Sequence, residues 1–233
     1  MVKLHTILLK ISGESLAGDN EHGLDNDVLH NLSMVIKKTK ELGVLIGIVV
    51  GGGNFWRGRS NGHMDRVTAD HMGMLATTIN ALALADALDQ AGVDNRVQNA
   101  IQMQQICEPY IRKRAVRHLE KDRVVIFAGG TGNPYFTTDS AAALRALEVG
   151  ADAVLKATMV DGVYDRDPNI DPQAEKYDEI SFDEVLTKNL GIMDATAIAL
   201  CRDNDIPVIV FNISDPENIY LLAKGENVGT VIS

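Results

Sequence analysis

Short runs of β-branched and aliphatic residues alternate along the chain with longer stretches in which apolar positions recur at helical spacing. The strand-like runs lie at 6–11 (TILLKI), 44–50 (VLIGIVV), 96–100, 123–128 (RVVIFA), 153–155 and 207–211 (PVIVF). Between them the spacing predicts helices over 26–42, 66–91, 104–121, 138–149, 182–189, 194–204 and 216–224. Continuous apolar strands separated by helices predict an α/β protein whose mostly parallel sheet is covered on both faces. Two helix starts are chemically marked. Ser181 followed three residues later by Glu184 is a capping-box pattern, and Asp215 stands before Pro216 as an N-cap acid before a first-turn proline.

Residues 66–91 carry Met72, Met74, Leu75, Ile79, Leu82, Leu84 and Leu88 spread around much of the helix. A helix apolar nearly all round is buried on more than one side, either as a central core helix or as a subunit contact. The stretch 162–177 (GVYDRDPNIDPQAEKY) has prolines and acids without periodicity and reads as an ordered surface excursion. No repeat, low-complexity tract or linker divides the 233 residues, so one domain spanning 1–233 is expected.

The apolar run near the amino terminus is followed by charged and glycine-rich sequence with no small-residue cleavage site. It reads as a buried first strand, and the chain is expected to be soluble and cytoplasmic. Cys107 and Cys201 lack any CxxC or Cys/His spacing and read as reduced thiols. The formal charge of −10 argues against non-specific nucleic-acid binding but leaves room for a small phosphorylated ligand.

In open parallel sheets, ligands bind beyond the carboxyl ends of the strands, so the residues after each apolar run carry the chemistry. Lys10-Ile-Ser-Gly13 ends the first run. The lysine and the backbone amides of the turn can meet a phosphate, though a strand-end lysine can equally be solvated. Gly51-Gly52-Gly53-Asn54 follows the second run. Three glycines allow close backbone approach to a ligand and angles closed to other residues, and Arg57 nearby could add a planar fork to the same anion. The segment 129–139 (GGTGNPYFTTD) leads into a helix, so Thr137, Thr138 and the helix amino terminus can seat an anion. Asp139 reads either as a plain N-cap or as a carboxylate that orients a lysine. Lys156, after the fifth run, adds a second lysine on the same rim. Such a set suits phosphoryl transfer, which needs positioning and charge neutralisation more than covalent help. GxxxxGK[ST], HRD, DFG and a GxGxxG after the first strand are absent, which excludes P-loop kinases and protein kinases and weakens a dehydrogenase reading.

Five segments, LLKISGESL, VVGGGNFWRG, DHMGMLATTINALALADAL, GGTGNPYFTTDSAAALRALEVGAD and LKATMVDGVYDRDP, run in order across nearly the whole chain. Together they resemble the bacterial UMP kinase branch of the amino acid kinase family. The combination of DHMGMLAT with GTGNPYFTTDSAA is specific to that branch, whereas KISG and GGG are shared with carbamate, acetylglutamate and aspartate kinases.

The resemblance implies a three-layer α/β/α sandwich and ATP-dependent phosphorylation of UMP to UDP in pyrimidine nucleotide biosynthesis. It implies that Lys10, Ile11, Ser12 and Gly13 line the ATP phosphates, with Lys10 neutralising the phosphoryl group in flight. Gly53 and Arg57 would stand on the ATP side and Gly52 on the UMP side. Asp70 would contact UMP through the ribose, and Thr131, Gly132, Asn133, Pro134, Tyr135, Phe136, Thr137 and Thr138 would wrap its base and phosphate. Thr158, Tyr164 and Asp167 would hold the adenine and ribose of ATP. Asp139 and Lys156 would complete a catalytic set with Lys10 and Arg57. Mg²⁺ would arrive with ATP, held by phosphates and water and by no dedicated protein ligand. A cytoplasmic homohexamer built from dimers is implied, which favours the subunit-contact reading of 66–91. So is activation by GTP and inhibition by UTP, with Gly18, Asp19, Asn20, Glu21, His22 and Gly23 as the GTP segment. Two alternatives remain. A sister kinase acting on carbamate or an acidic amino acid has no reason to carry the GTGNPYFTTD loop. A non-catalytic nucleotide sensor would be marked by loss of Lys10, Arg57 or Asp139, and all three are present.

Overall fold

The structure is a computed structural model that describes residues 4–56, 64–168 and 170–233. The first half of the chain runs β1 (Thr6–Ile11), α1 (Asn26–Lys40), β2 (Leu45–Val50), α2 (Arg66–Gln90), β3 (Asn95–Asn99), β4 (Glu108–Pro109), α3 (Arg112–Glu120) and β5 (Val124–Ala128). The second half runs α4 (Thr138–Val149), β6 (Ala153–Thr158), β7 (Val163–Tyr164), β8 (Lys176–Tyr177), β9 (Glu179–Ile180), α5 (Phe182–Lys188), α6 (Ala195–Arg202), β10 (Val208–Asn212), α7 (Glu217–Lys224) and β11 (Gly229–Ile232).

Nine strands among the described residues form one sheet in the order β4-β3-β5-β2-β1-β6-β10-β11-β9. The β10–β11 pair is antiparallel and the other pairs are parallel. Alternation along each strand sends side chains to two cores. Ile7, Leu9 and Ile11 pack with Leu32 and Ile36 of α1, Leu84 and Leu88 of α2, and Leu222 of α7. Leu8, Val125, Phe127 and Val154 pack on the other face with Leu119 of α3, Ala141, Ala142 and Ala146 of α4, and Ile198 of α6. The result is the expected three-layer sandwich, with apolar burial on both sheet faces as its main source of stability.

Helix starts follow local chemistry. Asp25, Asp65, Thr137, Ser181 and Asp194 cap α1, α2, α4, α5 and α6 by accepting from backbone N–H groups of the first turn. Asp215 accepts from Glu217 N at 3.1 Å, although the helix proper begins one residue later than predicted, with Pro216 at the cap.

Two expectations need correction. The helix predicted over 104–121 is α3 alone, because Glu108–Pro109 pairs with β3 as a strand. Pro109 has no N–H to continue a helix and pushes Glu108 towards extended geometry. The fifth strand continues past 155 to Thr158, so Lys156 lies within β6 rather than after it. The 162–177 excursion is closed by a small antiparallel ladder of β7 and β8. No helix among the described residues is long and apolar enough to cross a membrane.

Candidate active site

The carboxyl ends of β1 and β6 adjoin at the centre of the sheet, and the register places Lys10 beside Lys156. Both point to the same face and are nearly buried, 8% and 7% exposed. Asp139, in the first turn of α4, lies between them. Its Oδ1 is 2.8 Å from Lys10 Nζ and its Oδ2 accepts from Lys156 Nζ at 2.6 Å. The Lys156 contact is an aligned hydrogen bond, whereas the Lys10 contact is an ion pair in which Oδ1 has no aligned donor. Burial acts to raise the Asp139 pKa, but the two ammonium groups outweigh it and hold the carboxyl below its ordinary range. Burial lowers the Lys156 pKa, and attraction to Asp139 recovers only part of that shift.

Asp139 is therefore not the cap of α4. Thr137 is, its Oγ1 accepting from Asp139 N at 3.1 Å and Ser140 N at 3.3 Å. The Thr137 hydroxyl in turn donates to the carboxylate of Asp194, which also accepts from Ser140 Oγ at 2.9 Å and caps α6 through Ala197 N. Asp194 thus ties the starts of α4 and α6 together beside the lysine pair. Sequence reasoning placed 194 only at a helix start; its acidic type there was the available signal.

Two cavities lie beside this cluster. The first, about 390 Å³, is lined by residues including Gly52, Trp56, Asp70, Thr131, Thr137 and Thr138. The second, about 490 Å³, is lined by residues including Thr158, Tyr164, Asp167, Asn189, Ile192 and Val210. Lys10, Asp139 and Lys156 line neither cavity. Thr138, which lines the first, precedes Asp139 on α4, and Thr158, which lines the second, lies two residues beyond Lys156 on β6, so the cluster adjoins both.

Of the residues expected to hold the acceptor, Gly52, Asp70, Thr131, Asn133, Phe136, Thr137 and Thr138 line the first cavity. Gly132, Pro134 and Tyr135 belong to the same loop without lining it. The Asp70 carboxylate accepts from Arg66 Nε at 2.8 Å and from Tyr135 N at 2.7 Å, which fastens that loop to α2. Gly53, expected on the ATP side, lines the first cavity together with Gly52. Trp56 and Arg66, which sequence reasoning did not single out, line it as well. The Trp56 indole is fixed by donation to Ala69 O at 2.9 Å. Thr158, Tyr164 and Asp167 share the second cavity with the 189–192 turn, which its irregular sequence did not advertise, whereas Lys10, Ile11, Ser12 and Gly13 line neither cavity. Arg57 lies outside the described residues.

The glycines of the second turn act by close approach alone. None of Gly51, Gly52 and Gly53 has a positive φ, which corrects the conformational half of the expectation. A Cβ at Gly52 would sit 2.8 Å from Ala76 Cβ and 2.9 Å from Gly73 O, and one at Gly13 only 2.4 Å from Asn54 Oδ1. The two turns and α2 pack backbone to backbone. Asn54 completes this joint by donating to Gly23 O at 2.6 Å, and Asn80 of α2 donates to Gly51 O at 2.6 Å. The 18–23 segment is thereby tied to the turn at Gly23, but it lines neither cavity. Both cysteines are free thiols away from the charged cluster, and burial pushes Cys201 up to about 12.

Among the described residues no group of three His, Cys, Asp or Glu side chains could hold a metal ion. Asp139 is committed to two ammonium groups.

A sequence profile of the amino acid kinase family matches residues 5–212. Among solved structures, a UMP kinase from Bacillus anthracis is similar with a TM-score of 0.96 and 37% identity, over 100% of this chain and 97% of that one. A UMP kinase from Ureaplasma parvum is similar with a TM-score of 0.93 and 42% identity, over the whole of both chains. A uridylate kinase from Archaeoglobus fulgidus is more distant, with a TM-score of 0.75 and 29% identity over 97% of this chain and 99% of that one. With the lysines of its two central strands bridged by Asp139, its three-layer fold and a profile match over most of its length, this chain belongs to the amino acid kinase family.

Proposed function

We propose that this chain, acting as a single catalytic domain, is an ATP-dependent UMP kinase that makes UDP for pyrimidine nucleotide biosynthesis. The observation that carries the reading is the Lys10–Asp139–Lys156 cluster adjoining two nucleotide-sized cavities. The full-length likeness to two UMP kinases at 37% and 42% identity supports UMP as the acceptor.

A phosphate oxygen of UMP in the first cavity attacks the γ-phosphorus of ATP, whose triphosphate reaches in from the second. The new P–O bond forms as the bond to the β-phosphate oxygen breaks, and ADP leaves with that electron pair. No side chain becomes covalently attached. Lys10 and Lys156 neutralise the oxygens of the phosphoryl group in flight, and Asp139 holds both ammonium groups where that charge develops. The backbone amides of the Ser12–Gly13 turn and Arg57 serve the donor phosphates. Asp70 and the 131–138 loop hold the uridine. Mg²⁺, bound through the nucleotide phosphates and water, would add charge neutralisation, which fits a site whose described residues offer no carboxylate cage.

Assembly and control extend the same proposal. The outward side of α2 exposes Leu75 and Ile79, 48% and 47% accessible, which supports the subunit-contact reading and a cytoplasmic homohexamer. The 18–23 segment, joined to the phosphate turn through Asn54, is a route by which GTP would activate. UTP, sharing uridine with the acceptor, would inhibit at the first cavity.

A coupled ADP-release assay with ATP, Mg²⁺ and UMP, run beside CMP, carbamate and aspartate, tests the reading. Turnover with UMP that falls by about 10³ or more in Lys10→Ala is expected. Turnover with carbamate or aspartate in place of UMP would make this a sister kinase. Nucleotide binding without any turnover would make it a sensor.

A further inference from the structure

Behind the first cavity lies a polar cluster that the transfer chemistry does not use. Arg145, in the middle of α4, is only 4% exposed. Its guanidinium donates to Glu148 Oε2 at 2.6 Å and to the carbonyl of Gly130 at 3.3 Å, and it stacks 3.8 Å from the ring centroid of Tyr110. Tyr110 donates its hydroxyl to the same Glu148 oxygen at 2.5 Å and meets Phe127 edge-on. Arg112 Nε donates to the Glu148 carbonyl. Burial, with the adjoining Glu148 carboxylate, raises the Tyr110 pKa, so the hydroxyl stays a donor. A guanidinium this buried needs its partners, and here one of them is a main-chain carbonyl of the acceptor loop.

That carbonyl belongs to the most permissive backbone in the loop. Gly129, Gly130 and Gly132 have φ of 74°, 60° and 79°. A Cβ added at Gly130 would meet nothing within 4 Å, so side-chain crowding does not fix the peptide there. The turn bond from Gly132 N to Gly129 O at 2.9 Å spans this peptide but is compatible with either orientation of it, so the contact to Arg145 is what selects one. The peptide between Gly130 and Thr131 is planar and trans, so its N–H points opposite to its C=O. The C=O is turned to Arg145, which does not line the cavity, whereas Gly130 and Thr131 do.

We infer that Arg145 is a positioning residue for the acceptor: by holding the Gly130 carbonyl it turns the Thr131 N–H into the first cavity, where it meets the nucleotide. Glu148 and Tyr110 hold the guanidinium in place. The inference rests on the proposed UMP kinase activity and deepens it, since it names what sets the acceptor loop without touching the acceptor. A donor-side role is excluded by position, because the cluster lies away from the second cavity.

Steady-state kinetics of Arg145→Met with UMP and ATP varied separately test this, with thermal unfolding run in parallel. The KM for UMP is expected to rise roughly tenfold, the worth of one lost backbone hydrogen bond, while the KM for ATP and kcat stay within about twofold. Arg145→Lys, which can still reach a carbonyl but lacks the planar fork, should recover part of the loss. A merely structural role would lower the unfolding temperature and the amount of active enzyme without moving the KM for UMP. Should Arg145→Met fail to fold, Tyr110→Phe removes one support of the guanidinium and keeps the ring, and a rise of about threefold in the same constant is expected. An unchanged KM for UMP in the folded variants, with active wild type, overturns the inference alone. A wild-type protein inert towards UMP overturns the proposed activity and this inference with it.

Discussion

At the residue scale the decisive feature is one carboxylate shared by two nearly buried lysines. Replacing Asp139 with Asn leaves Lys10 and Lys156 adjacent and uncompensated. A loss of stability of about 3 kcal/mol is expected by chemical denaturation, together with loss of turnover. The pH dependence follows from the signs. The Asp139 pKa is lowered in the folded state, so its contribution to stability is complete above the unfolded-state value and is lost as pH falls through the folded one. Acid unfolding of the wild type should show this loss, and the Asn variant should lack that component. For Lys156 the folded pKa lies below 10.5, so the alkaline limb of kcat/KM, which reports the free enzyme, should fall below the ordinary lysine range. Asp194 helps to hold the Lys156 proton, and Asp194→Asn should move that limb to still lower pH. An unmoved limb in that variant would mean that Lys156 does not govern it.

At the scale of elements, the glycine turn after β2 is a packing joint between β1, β2 and α2. Gly52→Ala puts a methyl group against Ala76 and the Gly73 carbonyl, neither of which can swing aside. About 1–3 kcal/mol of overpacking is expected, with a rise in the KM for UMP as the turn shifts against the cavity wall. Gly53→Ala, whose nearest neighbour is the flexible end of Glu14, should cost less in unfolding temperature.

Long elements such as α2 and α4 were legible because a cap and a sustained apolar pattern act locally. The strands β4, β9 and β11 were not, since two to four residues carry little periodicity and exist only by pairing with distant neighbours. The same limit applied to the site. Lys10 and Lys156 each stood near the end of an apolar run, and the family motifs named both. Their adjacency, however, depends on β1 pairing with β6 across the whole intervening chain, which no local pattern encodes. Asp194, Arg66 and Arg145 escaped notice for a related reason: each acts through a hydrogen bond to a residue whose position only the fold reveals.

At the scale of the whole molecule, α2 contributes to two surfaces. Met74 and Thr77 line the first cavity, while Leu75 and Ile79 lie on the opposite, exposed side of the same helix. Two large aliphatic side chains half open to water, on a helix whose other large aliphatic side chains are buried or half-buried, fit a face that a second copy of the chain covers. The double substitution Leu75→Glu with Ile79→Glu should therefore yield smaller particles by light scattering after size exclusion. Folding should survive, because neither side chain enters the core. Because α2 also carries Asp70 and holds the 131–136 loop through it, loss of the subunit contact should weaken UMP binding more than ATP binding. A variant that keeps the wild-type mass would show that this face is not the contact. One that dissociates yet retains its KM for UMP would separate assembly from the acceptor site, leaving α2 as two independent surfaces on one helix.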